Sequence, residues 1–130
     1  MMIRKYVSMS KPDDVVKYIM PKLRHLDHEE FWVYCVTSKN KLISKEMISK
    51  GSLTGTTVHP REVFKYAILQ SAAAILVAHN HPSGEPEPSM PDNELTKKLV
   101  ESGEIIGIPV LDHIIIGDGV YYSYRKEDKL

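Results

Sequence analysis

Seven consecutive apolar residues, Ala72, Ala73, Ala74, Ile75, Leu76, Val77 and Ala78, run straight into His79-Asn80-His81-Pro82. A short apolar run bounded by a proline-rich loop reads as a buried central strand. A central strand has to be covered, so the rest of the chain must supply flanking elements. At 130 residues the chain has the size of one ordinary domain. Such a domain buries roughly two thirds of the surface of its unfolded chain, enough for a core without disulfide staples. Hydrophobic residues at 42% and charged residues at 26% argue against disorder over most of its length.

Patterning supplies the flanking elements. Residues 2–8 read as a first strand. Residues 12–26 read as a helix, because Val15, Val16, Ile19, Leu23 and Leu26 recur at helical spacing. Pro21 lies inside it and should kink or shorten it. Residues 31–36 are aromatic and β-branched, as a strand requires. Residues 38–41 form a turn, residues 41–50 return as the second arm of a hairpin, and residues 51–57 form a loop of small residues. A helix starts at Pro60, with Val63, Phe64, Ala67, Ile68 and Ser71 lining one side. Residues 82–91 hold four prolines and must be loop. Residues 92–102 form a helix with Leu95, Leu99 and Val100 inward and Gly103 as its stop. Residues 108–116 and 120–124 form two strands joined at Gly117-Asp118-Gly119. Residues 125–130 are charged and should fray. The alternation of helices and strands around a hairpin predicts a layered α/β (α+β) domain.

Lys and Arg total 17, as do Asp and Glu, so the formal net charge is zero. A dedicated nucleic-acid binder usually carries a basic excess, and direct DNA binding by this chain is not expected. The single cysteine, Cys35, can form neither an internal disulfide nor a Cys-rich zinc finger. Its position in a strand suits a core residue, and a reducing, cytoplasmic compartment fits this usage. No apolar run reaches the roughly 18 residues of a membrane span. Met1-Met2-Ile3-Arg4-Lys5 precedes no apolar segment, so no signal peptide is expected.

The chemistry-bearing residues cluster after the central strand. His79 and His81 are two apart at a strand end, so both imidazoles share a face. Asp92 follows eleven residues later at a helix start, and the proline-rich loop can fold it back onto them. Two imidazoles and a carboxylate make a three-ligand zinc site with a fourth position open to water. The plainer alternative is that Asp92 only caps its helix and the histidines only end a strand. A metal hydrolase also needs a carboxylate to move protons. Glu29 and Glu30 precede the strand 31–36 and are the candidates, although both also fit a solvated turn. Ser89 can donate to a developing oxyanion or serve as a loop or capping residue.

Other polar residues carry two readings each. Arg61 can bind a substrate carboxylate or carbonyl, or pair within the fold beside Glu62. His113, after Asp112 in a late strand, can orient a metal ligand, or be a buried histidine bonded to Asp or backbone. His59 lies near the helix start without an assigned role, and His25 and His28 read as surface positions. Tyr122 and Tyr124 share a face, which is ordinary sheet packing before it is a stacking platform.

His79-x-His81, seven residues, then Ser89-x-x-Asp92 matches the JAMM signature of the JAB/MPN metalloprotease superfamily. Gly51, Pro60-Arg61-Glu62-Val63, His79-Asn80-His81-Pro82-Ser83-Gly84, Pro88-Ser89, Thr96 and Leu111-Asp112-His113 resemble its RadC-like branch over about residues 28–124. The resemblance implies a curved mixed sheet flanked by helices, of the cytidine-deaminase-like architecture. It implies His79, His81 and Asp92 as zinc ligands and Ser89 as the residue that polarises the carbonyl or holds the intermediate. Its general acid/base falls two residues before a strand phenylalanine, at Glu29. Longer members carry an N-terminal helix-hairpin-helix module, for which the residues before 28 leave no room. The tripeptide His79-Asn80-His81 is not the dispersed motif of HNH nucleases. The Pro-Cys-x-x-Cys ligands of zinc deaminases are missing.

These residues lead to two expectations. The first is a Zn2+-dependent hydrolase that cleaves a peptide or isopeptide amide in a peptide or protein substrate. The second is a non-catalytic, metal-stabilised binding module linked to DNA repair or stress response. Exposed sheet edges make a homodimer reasonable, and no membrane partner is expected.

Overall fold

The computed structural model describes residues 6–51 and 58–130. Three helices flank one five-stranded sheet. The helices are α1 (Pro12–Leu23), α2 (Pro60–Leu69) and α3 (Met90–Ile106), and the strands are β1 (Glu30–Val36), β2 (Leu42–Lys50), β3 (Ala74–Asn80), β4 (Val110–Ile116) and β5 (Tyr121–Ser123). The strand order is β2-β1-β3-β4-β5. β3 and β4 are parallel and joined through α3, while all other neighbours are antiparallel. The fold is the mixed α/β sandwich that the patterning predicted.

Alternation along the strands divides the core in two. On one face Phe31, Val33, Cys35, Ile75 and Val77 pack against Val63, Phe64 and Ala67 of α2 and Leu99 of α3. On the other face Tyr34, Val36, Leu76, Ala78, Ile114 and Ile116 pack against Val15, Val16, Ile19 and Leu23 of α1. β3 is buried at every residue, as a central strand covered on both faces must be. Its odd-numbered residues face α2 and α3, and this carries His79 to that side.

Several boundaries differ from the patterning. Residues 2–5 lie outside the described residues, and residues 6–8 make only a single bridge, Ser8 to Lys41. α1 ends at Leu23, two residues beyond Pro21. Pro21 has no N–H to give the preceding turn, yet the helix continues past it and the Arg24 N–H still donates to the Met20 carbonyl. β3 starts at Ala74 and runs on through His79 and Asn80. α3 begins at Met90 and passes through Gly103, ending instead at Gly107 in the left-handed region at φ 87°. Gly103 serves close packing: a Cβ there would lie 2.6 Å from the Ile108 carbonyl oxygen. Ile68 and Ser71 are exposed rather than lining the core. The loop expected over 51–57 falls outside the described residues beyond Gly51.

Residues 125–130 do not fray. The Lys129 N–H donates to the Tyr124 carbonyl, and the Arg125 guanidinium donates to the Ser10 carbonyl. The buried Asp112 carboxylate accepts from the Ser123 hydroxyl and from the Arg125 and His113 amides. Burial pushes its carboxyl up, against the pull of those three donors. Among the described residues, no helix is long and apolar enough to cross a membrane.

Candidate metal centre

The centre forms where the C-terminal end of β3 meets the first turn of α3. His79 is the sixth residue of β3 and fully buried. His81 follows the strand, with its backbone N–H bonded to the Ile116 carbonyl. Asp92 is the third residue of α3 and is only 3% exposed. Ser89 caps that helix: its hydroxyl accepts from the Asp92 N–H at 3.2 Å, and its own N–H donates to Asp92 Oδ2 at 2.9 Å. This is a reciprocal capping box. Asp92 therefore sits inside the helix rather than at its cap, and the capping holds its carboxylate still.

The three side chains converge. His79 Nε2 lies 3.2 Å from Asp92 Oδ1, His81 Nε2 lies 3.1 Å from Asp92 Oδ2, and the two Nε2 atoms are 3.1 Å apart. The three ligand atoms lie within 4.8 Å of one another. His81 Nδ1 is 2.9 Å from the Glu85 carbonyl, which only accepts, so Nδ1 carries a proton and Nε2 is the nitrogen that faces His79 and Asp92. Two imidazole nitrogens and one carboxylate oxygen fit a divalent cation with a position left open. Imidazole suits zinc, copper, iron and nickel alike.

The electrostatics describe a site prepared for positive charge. Burial alone would raise the Asp92 carboxyl, but the His79 and His81 imidazoles against it outweigh that and hold it far below the usual carboxylate range. The hydrogen bond to Asp92 raises the His81 imidazole, and the charge of Glu29 adds to this. A raised histidine favours the metal-free fold fully below its unfolded value of about 6.5, and that contribution fades as pH climbs through the raised folded value. A cation must displace the same proton. Zinc affinity is therefore expected to rise with pH through and above the ordinary imidazole range, by about tenfold per unit for one displaced proton, and then to level off. Chelator competition across pH measures this, and a flat profile contradicts it.

The two glutamates part company at the start of β1. Glu30 lies on the Trp32 side, where its carboxylate accepts from the Trp32 indole at 3.0 Å and sits 2.7 Å from His28 Nε2. Burial would raise the Glu30 carboxyl, but the bonds from Trp32 and His28 prevail and lower it. His28, read as a surface residue, is thus half-buried and engaged. Glu29 lies just before β1, where its charge acts on His81, and the Phe31 ring two residues on stacks on His79 at 5.8 Å. The backbone around Glu29 is clamped. The Gly51 N–H donates to the Glu29 carbonyl at 2.8 Å. The Asn80 side chain accepts from the Glu30 N–H and donates to the His28 carbonyl.

Two contributors were not assigned from the sequence, and a third carried two readings. Asn80, between the two histidines, points to the opposite face by alternation and holds residues 28–30. Thr96 is one helical turn below Asp92, a four-residue spacing that signals contact; its hydroxyl donates to the Asp92 carbonyl at 2.7 Å. His113 Nε2 lies 2.8 Å from His79 Nδ1, the bond to a ligand side chain that was one of its two readings. Burial holds His113 well below the usual imidazole range, so it is neutral. Arg61 stands on the exposed start of α2, 3.5 Å from Glu62. His59 caps α2 by accepting from the Arg61 N–H, and lines with Asp92 a groove of about 620 Å³ between α2 and α3.

A family model, the RadC-like JAB domain, matches residues 9–130. The chain belongs to the RadC-like JAB domain family. Relatives of the RadC-like domain include the UPF0758 protein of Alkaliphilus oremlandii, 56% identical over 119 residues, covering 92% of this chain and 51% of the relative. The UPF0758 protein of Symbiobacterium thermophilum is 48% identical over 124 residues, covering 95% and 53%. That of Methanosarcina barkeri is 48% identical over 116 residues, covering 89% and 51%. The chain spans about half the length of these curated relatives. The RadC-like match also extends further toward both termini than the resemblance over residues 28–124.

Proposed function

We propose that this RadC-like domain is a zinc-dependent hydrolase of the JAMM type that cleaves a peptide or isopeptide amide. The observation that carries the reading is the convergence of His79 Nε2, His81 Nε2 and the Asp92 carboxylate within 4.8 Å, beside the strand end that bears Glu29. A zinc ion held by these three residues would supply a Lewis acid for the carbonyl and acidify a water. Glu29 takes the proton from the attacking water and returns it to the leaving amine, so one carboxylate serves both halves of the reaction. The Ser89 hydroxyl accepts from the Asp92 N–H, which leaves its own proton to donate to the developing oxyanion. The buried wall of Phe31, His79 and His113 keeps solvent from the rear of the centre. A peptide or protein is the substrate class, and the cytoplasm is the proposed compartment.

The test is a panel of peptide and isopeptide amides offered to zinc-reconstituted protein, with amine release as the readout. Hydrolysis that stops on chelation and returns with zinc supports the proposal. Protein that carries zinc yet cleaves none of them overturns it in favour of a metal-stabilised binding module.

A further inference from the structure

The buried groups behind the centre form a single line of hydrogen bonds. Thr96 Oγ1 donates to the Asp92 carbonyl at 2.7 Å. A hydroxyl has one proton, so the same oxygen can only accept from His113 Nδ1, 2.6 Å away. His113 Nδ1 therefore carries a proton. The His113 ring is fully buried and its nitrogens meet Thr96 and His79, neither an anion, so it is neutral with one N–H and its Nε2 is bare. His79 Nδ1 lies 2.8 Å from that bare nitrogen and must be the donor. The proton of His79 then sits on Nδ1, and its Nε2 lone pair faces His81 and Asp92.

Packing leaves the His113 ring no alternative pose. It is fully buried. Tyr124 stacks on it at 5.0 Å and 14°, and the Phe31 ring meets it at 5.7 Å and 69°. Tyr124 is itself tied to α3, since its hydroxyl donates to Asn93 Oδ1 at 2.7 Å. The helix that supplies Asp92 thus also sets the ring behind His79.

We infer that Thr96 and His113 are positioning residues that fix the tautomer of His79 and so aim its Nε2 lone pair at the cation. The inference rests on reading the centre as a metal site. Without the Thr96 acceptor, His113 can carry its proton on Nε2 and donate to His79 Nδ1. His79 would then hold its own proton on Nε2, 3.2 Å from Asp92 Oδ1, where it competes with the metal.

The experiment compares zinc affinity, by competition with a chromophoric chelator, in the parent and in T96V, T96S, H113L and H113Q. T96V and H113L are expected to bind zinc about 10- to 100-fold more weakly, the range typical for partners of a metal-ligating histidine. T96S keeps the acceptor, and H113Q puts an amide oxygen near His79 Nδ1, so both should bind close to the parent. Nitrogen-15 histidine NMR of the metal-free parent in mildly alkaline solution should show protons on His79 Nδ1 and His113 Nδ1. T96V protein that folds and binds zinc like the parent overturns the inference alone, as does a parent with its His79 proton on Nε2. A parent that takes up no zinc overturns the metal reading and this inference with it. T96V is close in shape to Thr, so it stands in should H113L fail to fold.

Discussion

Replacing Glu29 with Gln is expected to leave zinc content unchanged and to lower amide hydrolysis about 100- to 10,000-fold, the span of a general acid/base contribution. The substitution keeps size and shape and removes only the proton-accepting charge. It should also leave the fold intact. Backbone bonds help to hold this segment, among them the Glu29 carbonyl to Gly51 and the flanking peptides to Asn80. Zinc by mass spectrometry and amine release on the same preparation separate the two effects. A Gln variant as fast as the parent sinks the role of Glu29. The Glu30→Gln variant is the matched control: its carboxylate is occupied by Trp32 and His28, so turnover should change little.

Replacing His79 with Ala is expected to empty the centre. Structural zinc sites are worth about 10–16 kcal/mol over their ligands. Loss of one ligand of three removes on the order of 3 kcal/mol or more, at least about 100-fold in affinity. The change also leaves His113 Nε2 without its donor and opens a cavity against Phe31. Asp92→Asn separates these effects. It keeps the volume and the acceptor for the Ser89 N–H, and removes the charge that complements the cation. Zinc per chain after gel filtration should fall in both variants, with the melting temperature falling mainly in His79→Ala. A His79→Ala protein that keeps its zinc would show that the metal lies elsewhere.

The central strand, the hairpin and the His79-x-His81 pair could be read because each depends on local spacing. Alternation and apolar runs survive any tertiary environment that buries them. Asp92 was readable as a partner because helix starts carry their own signals. The same signals were then over-read. Ser89-x-x-Asp92 is a capping box with the serine as cap, so the helix starts earlier than a cap at Asp92 would allow. Gly103 looks like a stop, but it is retained for the approach of Ile108, which no local pattern encodes. The bond between His79 and His113 depends on the register of β3 against β4, in which Val77 pairs with His113. Spacing along the chain carries no trace of that register. Spacing alone leaves Glu29 and Glu30 equivalent, and the family resemblance selects Glu29; which face Phe31 takes depends on the pairing of β1 with β3.

That pairing has a kinetic consequence. His81 and Asp92 are near neighbours in the chain, so a loose, partial ligand set can form in an unfolded polypeptide. The segment that bears Glu29 reaches them only when β1 lies antiparallel to β3, with Phe31 opposite His79. Closing that large loop is the kind of distant contact that forms slowly during folding. On the proposed reading, the metal ligands would come together before the proton acceptor does. Under the proposed hydrolase reading, competence would then arrive only with the completed sheet.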